Sequence, residues 1–405
     1  MQRKIFWIFI IVFGLVNSNP LVSLDWNDPF DFRNVYLGSV LLSKQQNPYV
    51  DSTLKQEWIS VCEIEKILNN KPPGLPQNFL VYPPHALIVF YPMSFLSYKT
   101  AVWVNFFVAL ISLFIWCYLL YNWMPIKSPL PFIGLMLIAW AFKGTMHALI
   151  VGQPSFLANM LALSGVYMAV QKNKFWPCVI LFVLASFKPT TLLPYFIYLA
   201  YKKQWRLLLF ITIGASCFFL FSACYFHAPI ELLRDFWGNI NLLKFLVFND
   251  NDEFFLGTIT EIRTLTTVFF SHWKYLYIPI YMATAISLIY LLIKNKSLNL
   301  YYLLSVLIIF GLLVSHHLFY DVLFILPIVW VYYYYPYKLK RIMMLCFIPF
   351  FLPINGLLNQ LQLSDSFEFL FWSTPICLFI LFVILILHPI HKKIDLFSQT
   401  DESFY

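Results

Sequence analysis

Apolar runs of about 18 residues or more, each closed by a short polar or basic cluster, recur along the whole chain, and a run of about that length crosses a hydrocarbon core roughly 30 Å thick. Backbone groups in lipid must be satisfied internally, and the runs show no two-residue alternation. The spanning elements are therefore predicted to be helices and not barrel strands. The first run, Ile5–Val16, follows Arg3 and Lys4 and leaves through Asn17, Ser18, Asn19 and Pro20 with no small-x-small cleavage site. It is expected to be a retained first helix with a cytoplasmic N-terminus. "YPP", Tyr82 to Pro84, opens the next, because proline is tolerated in a first turn. Further apolar segments lie near 101–121, 130–150, 155–170, 175–201, 207–226, 273–293, 298–315, 319–335, 342–357 and 369–389.

The fold class predicted is an all-α polytopic membrane protein, one domain over 1–405 with about 10–13 transmembrane helices. Two polar stretches, 25–78 and 227–272, are expected as long external loops. Within the first, Phe32, Val35, Tyr36 and Val40 share one helical face while Arg33, Asn34, Ser43 and Lys44 are polar, which suits an amphipathic helix on the membrane surface. Asp51 to Asn70 reads as a second helix. Pro154 and Pro189 interrupt runs that are short for full crossings, so at least one segment between 130 and 201 is expected to be half-spanning or re-entrant.

Composition agrees: 60% hydrophobic, 20% aromatic and 11% charged residues, with a mean hydropathy of +0.73, exclude an ordinary soluble domain. The net charge of +8 comes from clusters such as Lys202, Lys203 and Arg206, then Lys338, Lys340 and Arg341, between apolar runs. That is the positive-inside pattern and not a nucleic-acid surface. Seven cysteines occur singly, without Cys-x-x-Cys spacing, so neither a disulfide framework nor a zinc site is implied. No repeat of fixed period relates the two halves, which counts against a secondary transporter.

Three aspartates, Asp25, Asp28 and Asp31, gather where the chain leaves the first apolar run. Asp28 followed by Pro29 suits a helix N-cap with proline at N1. Asp31 then falls in the first turn, either as a carboxylate favoured by the helix dipole or as a base at the membrane boundary. Lys188 in "ASFKPTTLLP" is an ionisable group between apolar runs beside a helix break, a candidate phosphate ligand or a lysine that snorkels to the surface. Lys143 and His147 form a weaker case of the same kind. "SHHLFYD", Ser315 to Asp321, sets two histidines, a tyrosine and an aspartate between apolar runs. Adjacent histidines point apart on a helix, so the cluster suits hydrogen bonding to phosphate better than a metal. Asp250-x-Asp252 reads as a solvated loop, and no metal or cofactor is expected.

In order, "DFRNVYLGSVLLSKQQNPY", "YPPHALIVFYP", "VGQPSF", "KPTTLLPYFIYLAYKKQWR" and "HHLFYD" resemble the integral-membrane C-type glycosyltransferases, specifically glycosyltransferase family 87, the polyprenol-phosphate-mannose-dependent α-(1,2)-mannosyltransferases. The resemblance implies transfer of a hexose, mannose, from a polyprenyl-phosphate donor to a glycan or glycolipid acceptor at the external face of the plasma (inner) membrane. It implies Asp31 as catalytic base and Lys188, His316 and His317 at the donor phosphate, with Tyr82, Gln153, Tyr320 and Asp321 in support. The alternative is a lipid-linked sugar flippase or a glycan polymerase. A flippase would place its polar residues at the bilayer midplane between related halves, whereas here they gather at loop edges.

Overall fold

The computed structural model describes residues 10–12, 14–15, 29–65, 80–123, 129–225, 228–249, 262–263, 266, 275–295, 298–315, 319–332, 334–352 and 373–390. It is all-α: a polytopic helical membrane protein. The helices are α1 (Phe30–Ser43), α2 (Asp51–Glu65), α3 (Pro84–Phe90), α4 (Tyr98–Asn122), α5 (Pro129–Ala141), α6 (Lys143–Ile150), α7 (Ser155–Val170) and α8 (Phe175–Ala185). They continue with α9 (Leu193–Tyr201), α10 (Trp205–Cys224), α11 (Pro229–Asn249), α12 (Tyr277–Lys294), α13 (Leu300–Val314), α14 (Ile328–Tyr332), α15 (Tyr337–Phe351) and α16 (Ser373–Leu387). Short 3₁₀ turns at Tyr91–Phe95, Pro189–Leu192 and Phe319–Ile325 interrupt the series.

Among the described residues, only α4, α10 and α12 are long and apolar enough to cross a membrane singly, and α5 with α6 makes a fourth if counted as one span bent by 66°. The bend falls at Phe142, inside the stretch expected to be re-entrant. The apolar run 175–201 is likewise cut into α8, the Pro189 turn and α9. Proline removes an amide donor and crowds the preceding turn, which accounts for the break at Pro189; the bend at Phe142 has no proline beside it.

Burial sorts the helices. From Tyr301 to Leu313 every residue of α13 is buried, as expected of a helix apolar all round and enclosed by others; α9, α16 and the 319–325 turn pack against it. By contrast, α10 and α12 turn Leu209, Ile213, Leu220, Met282, Ile286 and Ile293 outward, the faces that meet lipid.

The first polar segment forms the two expected helices, with two corrections. First, α1 is covered by protein along most of its length instead of lying on a surface: of its expected polar face, Arg33 and Asn34 are only 1% and 7% exposed, while Ser43 and Lys44 at its end are exposed. Arg33 lies 5.0 Å from the Trp58 ring centroid on α2, and a guanidinium stacked on indole loses water at less cost than an ammonium would. Second, Pro29 sits at the N-cap and not at N1, and it makes no side-chain cap hydrogen bond; Asp25 and Asp28, the expected cap, lie outside the described residues. The Glu65 carboxylate at the end of α2 receives the backbone amides of Tyr98 and, at 3.1 Å, Lys99. A carboxylate there favours the positive end of the α4 dipole and ties α2 to the bundle.

Candidate active site

The site is built at a junction of two helix ends. The last turn of α6 closes through "VGQP", Val151 to Pro154. The amide of Gly152 donates to Leu149 O (3.3 Å) and that of Gln153 to Ala148 O (2.8 Å). This pair of bonds defines a Schellman cap with Gly152 at the left-handed position, and its φ is +69°. The carbonyl of Val151, left over at the negative end of α6, accepts the amides of Asp31 (3.0 Å) and Phe32 (3.2 Å) in the first turn of α1. Backbone orphans of both helices are thereby satisfied, and their dipoles run head to tail. Asn105 Nδ2 donates to the Gly152 carbonyl (3.3 Å) and anchors the turn to α4.

This junction brings five of the sequence-predicted residues together. Gln153 Nε2 donates to Asp31 Oδ2 at 2.5 Å. Gln153 Oε1 accepts from the Tyr82 hydroxyl (3.2 Å), Lys188 Nζ (3.2 Å) and Ser155 Oγ (3.4 Å). Lys188 Nζ also meets Ser155 Oγ and lies 3.3 and 3.4 Å from the two carboxylate oxygens of Asp321. Lys188 precedes the 3₁₀ turn at Pro189–Leu192, and its carbonyl accepts both the amide (3.2 Å) and the hydroxyl (2.8 Å) of Thr191, which fixes the break. Asp321 is carried by the Phe319–Ile325 turn, packed on α6. Lys143 and His147 lie on α6 itself. The side chains of His316, His317 and Tyr320, and the Asp250-x-Asp252 pair, fall outside the described residues.

Burial pushes the Asp31 carboxyl up from 3.8 to about 6. The Gln153 hydrogen bond and the Lys188 charge oppose that rise, and Asp321 adds to it. Burial, with Asp31 and Asp321 nearby, holds the Tyr82 phenol well above its ordinary range, so Tyr82 remains a donor toward Gln153. The arrangement therefore sets a carboxylate able to gain or lose a proton near neutrality on one side of an amide. On the other side is a largely buried cation whose counter-ion is a carboxylate. Among the described residues no group of three or more metal-ligating side chains occurs. A separate polar hollow of about 420 Å3, bounded by Lys44, Gln46, Asn47, Thr53, Gln56 and Glu57, lies at the opposite end of α1.

Two partners escaped the sequence reading. Ser155 shares Lys188 with Gln153, and its only signal was its place in "VGQPSF". His85 lies buried against Phe218 and Phe219, with Nε2 3.1 Å from Ser186 Oγ. Because that hydroxyl donates to Val183 O (2.6 Å), it accepts from the imidazole. His85 thus braces the end of α8 two residues before Lys188; in sequence it was one more polar residue after "YPP".

Residues 79–316 match the family model of glycosyltransferase family 87. Tyr82, Gln153, Lys188 and His316 fall inside that stretch; Asp31, His317, Tyr320 and Asp321 fall outside it. No curated protein and no solved structure matches the chain.

Proposed function

Because the chain belongs to glycosyltransferase family 87 and is accordingly a membrane glycosyltransferase, we propose that it moves a hexose, mannose first among them, from a polyprenyl-phosphate carrier to a glycan or glycolipid acceptor. The reaction takes place at the external face of the plasma (inner) membrane. The observation that carries this reading is the single amide of Gln153 joining Asp31 to Lys188.

A polyprenyl-phosphate sugar is already activated, since its phosphate is a competent leaving group. Asp31 takes the proton of the acceptor hydroxyl as that oxygen attacks the anomeric carbon from the face opposite the phosphate. The new carbon–oxygen bond forms, the bond to the phosphate oxygen breaks, and the lipid phosphate leaves with the electron pair. Charge growing on that phosphate is met by Lys188 and, as the family resemblance implies, by His316 or His317. The isoprenoid tail stays in lipid while the acceptor approaches from water.

The test measures transfer of radiolabelled mannose from polyprenyl-phosphate mannose to a membrane extract by wild type and Asp31→Asn. Loss of a general base lowers turnover by about 10²–10⁴-fold, and equal turnover would remove Asp31 from the mechanism. Label delivered from a nucleotide sugar alone would replace the donor. The working form of Asp31 is the carboxylate, and its pKa is about 6. Wild-type transfer therefore rises with pH through that value and is lost below it.

A further inference from the structure

We propose that Gln153 is the positioning residue of this site: its side-chain amide is locked in one orientation and holds the Asp31 carboxylate in register with Lys188, leaving one carboxylate oxygen for the acceptor. The inference rests on Asp31 acting as the base.

The backbone of Gln153 is set by the cap of α6 and by the proline that follows it, and the side chain is only 3% exposed, so it cannot swing into solvent. Its amide lies between opposite charges. Turning it over would aim the NH2 group at the Lys188 ammonium and the carbonyl oxygen at the Asp31 carboxylate. Both contacts would then be repulsive, so the surrounding charges decide the orientation. Asp31 Oδ2 is thereby occupied, whereas Oδ1 accepts no hydrogen bond among the described residues, in a side chain that is only partly buried.

A donor held at Oδ2 favours the charged form of Asp31 over the protonated one. The other groups facing Asp31 are Lys188, which also favours the carboxylate, Asp321, which opposes it, and Tyr82, which stays protonated. Removing the amide takes away the one hydrogen bond that counters burial. The base then holds its proton to higher pH.

The experiment uses the full chain in lipid nanodiscs and two readouts. One is infrared titration of the protonated carboxyl band, assigned to Asp31 by its absence from Asp31→Asn. The other is the pH profile of kcat/KM with polyprenyl-phosphate mannose. Gln153→Leu should move the band's midpoint upward by roughly one to two pH units and carry the acid limb of kcat/KM with it. A midpoint that stays in place, with activity lowered by the same factor at every pH, would reduce Gln153 to packing and overturn the proposal. Should Gln153→Leu fail to fold, Gln153→Met, unbranched and close in length, is held to the same two outcomes. The infrared titration needs no substrate. Absence of transfer by the wild type refutes the proposed reaction, whereas an unmoved band refutes the role of Gln153 alone.

Discussion

Lys188 has two separable parts in this picture. It is the counter-ion of Asp321, whose side chain is 2% exposed, and is itself only 13% exposed; in the proposed reaction it is also the cation that meets the donor phosphate. Desolvation makes such a pair a weak source of net stability, yet breaking it by removing one partner is costly, because the other is left charged and buried. Lys188→Met should therefore lower stability by about 3–5 kcal/mol, read as a fall in the midpoint of thermal unfolding in detergent. Adding Asp321→Leu removes the orphaned carboxylate and should restore most of that loss. Mannose transfer should stay abolished in both variants, since neither has a cation for the phosphate. A double variant no more stable than the single one would mean that the ion pair is not what makes Lys188 structurally necessary. A double variant with wild-type transfer would take Lys188 out of donor binding.

At the scale of elements, the site depends on how α6 stops. Gly152 occupies the left-handed position of its cap, and a Cβ there would stand 2.5 Å from Phe32 Cβ and 3.2 Å from Pro29 Cβ. Those atoms belong to the start of α1, so the glycine both allows the turn and lets the helix carrying Asp31 approach it. Gly152→Ala should cost the strain of a left-handed alanine, about 1–2 kcal/mol, and in addition push the first turn of α1 off the Val151 carbonyl. The expected result is a lower unfolding midpoint together with a loss of transfer. Gly238→Ala on α11, where a Cβ meets nothing within 4 Å, is the control: it replaces a poor helix former with a good one and should hold or raise the midpoint. If the two variants behaved alike, the close approach at Gly152 would not be what seats α1.

For the molecule as a whole, the apolar runs, the breaks at Pro154 and Pro189, and the isolated Lys188 could be read in the sequence, because prolines and ionisable groups stand out against an apolar background; Tyr82, Gln153 and Asp321 came with the motifs that carry the family resemblance. The burial of α1 could not. Spacing of Phe32, Val35, Tyr36 and Val40 identifies one apolar face but does not say whether protein or water covers the other, and here Trp58 covers Arg33. Nor could the cap of α1, since the oxygen that satisfies its first amides comes from Val151, 120 residues further along the chain. The same ambiguity affects the apolar helices: α10, α12 and α13 all read as apolar spans, yet α13 is enclosed while α10 and α12 face outward. In water this difference would follow from hydrophobicity, but in lipid it follows from which surfaces interlock. A carbene-generating lipid probe activated in nanodiscs, with labelled residues mapped by mass spectrometry, tests the assignment. Label should fall on Leu209, Ile213, Leu220, Met282 and Ile286, which are exposed on α10 and α12, and spare Leu303 to Ile309 on α13. Label on α13 at the level of α10 would show that the helix bracing α9 and the Asp321 turn lies open to lipid. The polar site those elements support would then lack its apolar wall.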